Sequence, residues 1–96
     1  MVLELGGTVG AAVITASARF EGEEIEIRPT GAPWNGRHVA FHRRHTATGD
    51  ITAAVFPNLA QGDWEARLHG LEAGATALLH VEGGRVTTLA FPEDGP

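Results

Sequence analysis

The chain has 96 residues, a formal net charge of −5 and no cysteine, which bounds it to one domain without disulfides or thiolate metal sites. All seven basic residues are arginines, so Schiff-base chemistry and a P-loop lysine are excluded. The acid excess argues against nucleic acid and anionic membrane as partners, and no segment approaches the ~20 apolar residues of a membrane span.

Helical periodicity is nearly absent. Period-2 alternation predicts seven short strands instead. The first, Thr8 to Ala16, is built of small and β-branched residues suited to packing on both faces. The second, Glu23 to Arg28, turns Ile25 and Ile27 one way and Glu24, Glu26 and Arg28 the other. A loop rich in proline and glycine, Pro29 to Gly36, holds Trp34. The third strand, Arg37 to Thr46, ends at the Gly49-Asp50 turn. The fourth, Ile51 to Phe56, is expected to stop at Pro57, which cannot donate to a ladder. The fifth, Asp63 to His69, points Trp64, Ala66 and Leu68 inward and Glu65, Arg67 and His69 outward. The sixth, Ala75 to Glu82, and the seventh, Arg85 to Phe91, are joined at Gly83-Gly84, a dipeptide suited to a two-residue hairpin.

Seven strands at this spacing predict an all-β, antiparallel two-sheet, immunoglobulin-like sandwich. Trp64, Phe41, Phe56, Leu59, Leu68, Leu79 and Val81 are the expected core. Residues 1–96 form a single domain, with 91–96 as a short mobile tail. The acid at Glu4 is unlike a signal peptide, and a cytoplasmic setting is expected.

One stretch carries a family resemblance. Val55, Phe56, Pro57, Asn58, Leu59, Gly62 and Trp64 are followed by Val81, Gly84, Val86 and Thr87. This pattern resembles prealbumin-like β-sandwich domains, among them carboxypeptidase regulatory-like domains and the B-repeats of collagen-binding surface proteins. It covers roughly the last 40 residues and implies a scaffold rather than an activity. The lysine of crosslinked B-repeats is missing. So is the Tyr-Arg-Gly-Ser ending of the hydroxyisourate hydrolases that share the fold. The resemblance therefore implies a binding, spacer or interaction module and carries over no catalytic residue.

Two features offer a site. Arg37, His38, His42, Arg43, Arg44 and His45 cluster on the third strand. On one strand His38, His42 and Arg44 share a face, with His38 and His42 roughly 13 Å apart, too far to share a metal ion. Such a row suits an anion or an acidic partner. The alternative is a solvated face paired with Glu24 and Glu26. Trp34 is either a contact anchor or a cap on one end of the sandwich. His69 and His80 fall on adjacent strands, as an exposed pair or a weak two-ligand metal site. Ser17, the only serine, has no nucleophile-elbow setting.

The expectation is a small non-catalytic module that binds a protein partner or small anionic ligand through Trp34, Arg37, His38, His42 and Arg44. No cofactor or metal is expected. The alternatives are a self-assembly domain, a homodimer with Leu78 and Leu89 exposed, and a metal-dependent enzyme.

Overall fold

A computed structural model describes residues 7–69 and 76–92. It shows eight strands and one 3-10 turn where the sequence predicts seven strands. The strands are β1 (Val9–Ala16), β2 (Glu24–Pro29), β3 (His38–Ala40), β4 (His42–Thr46), β5 (Gly49–Ala60), β6 (Gly62–Leu68), β7 (Ala77–Val81) and β8 (Val86–Ala90); the turn is Ala18–Phe20. They form two four-stranded sheets, ordered β4-β5-β1-β8 and β3-β2-β6-β7. No helix among the described residues is long and apolar enough to cross a membrane.

The strand of small residues, β1, lies between β5 and β8 in its sheet. Ala11, Ala12 and Ile14 are all fully buried. Its pairing with β8 is parallel, from Ala11 opposite Val86 to Thr15 opposite Ala90. Every other described pair is antiparallel. This corrects the expected hairpin at Gly83-Gly84. The dipeptide does turn, with Arg85 N–H donating to the Glu82 carbonyl at 3.3 Å and Gly84 at φ 77°. It carries the chain from β7 in one sheet to β8 in the other, since a two-residue turn joins only antiparallel neighbours.

Two further expectations are corrected. Pro57 does not end its strand, because β5 runs on to Ala60. The register against β1 shifts here: Ala12 faces Phe56 while Gly10 faces Leu59. Pro57 and Asn58 therefore occupy a bulge, a position that spares proline a ladder bond. Asn58 takes the left-handed φ of 59° that the bulge requires. The expected strand Arg37 to Thr46 is two strands. β3 pairs with β2, β4 pairs with β5, and Phe41 between them is where the chain changes sheet.

The sheets meet over the expected core. Phe41, Phe56, Leu59, Trp64, Leu79 and Val81 are buried, and Leu68 packs against them partly buried. Phe20, Phe41 and Phe91 form an aromatic cluster with centroids 5.7 to 6.1 Å apart. Phe91 is thus a core residue and not part of a tail; residues 93–96 lie outside the described residues. Leu78 is 66% exposed, as expected, whereas Leu89 packs partly buried on the core.

Candidate functional site on the outer sheet faces

The outer face of β3-β2-β6-β7 is a ladder of opposed charges. Across β2 and β6, Glu26 faces Arg67 and Arg28 faces Glu65. Arg67 Nε and Arg28 Nε donate to those carboxylates at 2.5 Å. His69, just past β6, continues the ladder, its backbone N–H donating to the Glu24 carbonyl at 2.8 Å. Opposite charges facing one another across strands are the stabilising arrangement for such a face.

Trp34 lies over this ladder and is half-buried. The Arg28 and Arg67 guanidinium carbons sit 4.2 and 4.1 Å from its ring centroid. Arg28 also donates to the Ala32 carbonyl at 2.8 Å, tying the loop down. The indole shields the ion pairs, so Glu26 and Glu65 are buried on a face that alternation assigns to solvent. Burial alone would raise the Glu26 pKa. The hydrogen bonds from Arg67 and His69, with their charges, outweigh it and hold the carboxyl below its ordinary value. Trp34→Ala is expected to cost about 1–2 kcal/mol in urea unfolding, the scale of a partly desolvated cation–π contact.

The predicted site residues separate. His38 sits on β3 above the charge ladder, its Nε2 3.4 Å from Glu24 Oε2. Its ring stacks on His69, with centroids 4.4 Å apart and planes at 25°. Arg37 donates to the Pro57 carbonyl at 2.8 Å, bracing the junction between the sheets. His42 and Arg44 lie on β4, in the other sheet from His38. The one-face row of His38, His42 and Arg44 does not exist, because the chain changes sheet at Phe41. His69 and His80 are not opposed either. His80 faces Asp63 and bonds to its carboxylate at 2.8 Å.

On β4 the register places His42 opposite Ala53 and Arg44 opposite Ile51. The neighbouring pairs Thr15–Ala53 and Val13–Val55 continue the same face, the outer one, toward β1. It carries exposed apolar side chains, with Ile51 39% and Val86 45% exposed. His42 and Arg44 stand at its margin, while Arg43, opposite Thr52, falls on the other face of β4. Arg28, Arg67 and Arg85 pair with carboxylates. Arg43 and Arg44 have no carboxylate partner among the described residues, and the buried Nε of Arg44 lacks any hydrogen-bond acceptor there.

No protein-family model, no curated protein and no solved structure matches this chain.

What the sequence leaves unseen is the meeting of Glu24, His38 and His69. One ligating atom from each lies within 4.8 Å of the others. Glu24 and His38 lie on consecutive strands and His69 follows β6, and the strand order β3-β2-β6 brings the three together.

Proposed function

We propose that this protein is a small non-catalytic binding module that takes an acidic protein partner or anionic ligand along β4 and the outer face beside it. Arg44, whose buried Nε lacks an acceptor among the described residues, carries this reading. The chain holds twelve acids against seven arginines, yet Arg44 stands on edge strand β4 without an acid among the described residues, with Arg43 next to it on the opposite face. A half-buried guanidinium whose Nε–H has no acceptor costs free energy that an incoming carboxylate or phosphate recovers. Ile51, Val55 and Val13 supply apolar area beside it, the usual composition of an interface centre with an arginine margin.

A prealbumin-like scaffold and a cytoplasmic setting belong to the same proposal. Two stacked four-stranded sheets and the cysteine-free sequence are consistent with them.

The test is an NMR titration of labelled protein with a poly-glutamate peptide and, separately, inorganic phosphate. The expected result is saturable shifts at the Arg44 Nε–H and the Ile51 and Val55 methyls. Arg44→Gln should weaken binding about 10- to 100-fold, the loss of one charge-assisted hydrogen bond. Shifts confined to other surfaces, or unchanged affinity in Arg44→Gln, would overturn the reading.

Self-association is the second reading. Leu78 stands exposed on edge strand β7, beside a cavity of about 350 Å³ lined by Thr30, Asp63, Trp64, Leu79 and His80. Edge strands with an exposed apolar side chain pair readily. A dimer in sedimentation that Leu78→Gln converts to monomer would favour it over partner capture.

A further inference from the structure

We propose that Glu24, His38 and His69 form a site for a divalent transition-metal ion of the zinc class, with Glu26 and the Gly36 carbonyl orienting the two imidazoles. The inference is independent of the β4 surface, since all these residues belong to the other sheet.

The two histidines are anchored on either side of β2, two strand spacings apart, or roughly 9.5 Å. Their rings nevertheless lean across β2 and meet 4.4 Å apart. Glu24 lies on β2 with them, its Oε2 3.4 Å from His38 Nε2. Bonds of about 2.0–2.1 Å in a tetrahedron set neighbouring ligand atoms roughly 3.4 Å apart. That edge already has its length. The remaining edges, within 4.8 Å, close by rotation of side chains that are each about two-fifths exposed.

The hydrogen bonds select the right nitrogens. A carbonyl oxygen only accepts, so His38 Nδ1–H donates to Gly36 O at 2.6 Å. Glu26 is ionised against Arg67, so His69 Nδ1–H donates to its Oε2 at 3.2 Å. With the far nitrogen engaged in this way, the deprotonated form of each ring presents its Nε2 lone pair to a ligand. Metal-binding histidines are ordinarily fixed in this way by a carbonyl or carboxylate on the far nitrogen.

The charge also suits a cation. Glu26 pairs with Arg67, which leaves Glu24 facing His38 and no arginine among the described residues, so a cation can replace the imidazole proton there. Two imidazoles and one carboxylate match zinc, and they leave one tetrahedral position open for water or a partner's ligand.

The experiment uses tag-free protein stripped with chelator, titrated with zinc chloride in a calorimeter and followed by imidazole nitrogen NMR. One equivalent should bind, with the Nε2 resonances of His38 and His69 shifting. H38Q, H69Q and E24Q should each weaken binding more than about tenfold. E26Q should weaken it about 10- to 100-fold, as loss of an orienting partner does. H80Q should leave it unchanged. H38Q, H69Q, E24Q and H80Q change exposed side chains and keep the fold, whereas E26Q removes a buried carboxylate and is titrated at a temperature where its amide spectrum is that of the folded protein. No saturable binding at millimolar zinc would overturn the proposal. So would binding that persists undiminished in H38Q and H69Q.

Discussion

Phe41→Ala is expected to remove about 4 kcal/mol of folding stability, the largest loss of any single truncation proposed for this chain. Phe41 has no exposed surface. It packs against Phe20 and Phe91 at 6.1 Å between centroids, and its backbone is pinned on both sides. Its N–H donates to the Glu23 carbonyl and its carbonyl accepts from Gly22, each at 2.9 Å. The surroundings cannot collapse to fill the void, because the residue sits where the chain changes sheet and both β3 and β4 depend on its position. Domains of this size hold roughly 5–15 kcal/mol in total. A fall in melting temperature on the order of 20 °C should follow. Guanidinium or thermal unfolding measures it, and a loss under about 1.5 kcal/mol would show that the crossing does not rest on this ring.

Glu26→Gln should cost about 3 kcal/mol at neutral pH, since it strands the Arg67 guanidinium, only 14% exposed, without its counter-charge. The pH dependence is the sharper signature. In the unfolded chain Glu26 titrates at about 4.3; in the folded chain it is held lower, because Arg67 and His69 favour the carboxylate more than burial disfavours it. A carboxyl with a depressed folded pKa contributes stability that is complete above its unfolded pKa. The contribution drains away as pH falls through that value toward the lower one. Wild-type protein should therefore lose stability from about pH 5 downward, and Glu26→Gln should show a flatter acid limb. Urea unfolding at a series of pH values, with chelator present, makes the comparison. Parallel acid limbs would mean that Glu26 ionises alike in both states.

The alternation of side chains was legible wherever one sheet face meets the core. Trp64 and Ala66, then Ala77, Leu79 and Val81, point inward as their spacing demands. Partner choice between strands was not legible. Val39 and Phe41 keep perfect alternation across the point where the backbone leaves one sheet for the other, so no residue marks the break. Pro57 read as a terminator because a bulge opposite Ala11 cannot be seen without the partner strand. Glu26 and Glu65 read as solvated because the sequence does not say that Trp34 folds over them. The Glu24–His38–His69 meeting lay hidden for the same reason: its members are neighbours only once β2 stands between β3 and β6.

The parallel pairing of β1 with β8 also fixes an order of events. While the chain is being synthesised, every backbone group on one side of residues 11–15 must wait for residues 86–90 to leave the ribosome. The second sheet needs nothing beyond Val81 and can assemble first. Until residues 86–90 emerge, an alanine- and valine-rich edge lies open to any neighbouring nascent copy. A product truncated before Val86 would keep that edge permanently and should come down as insoluble protein.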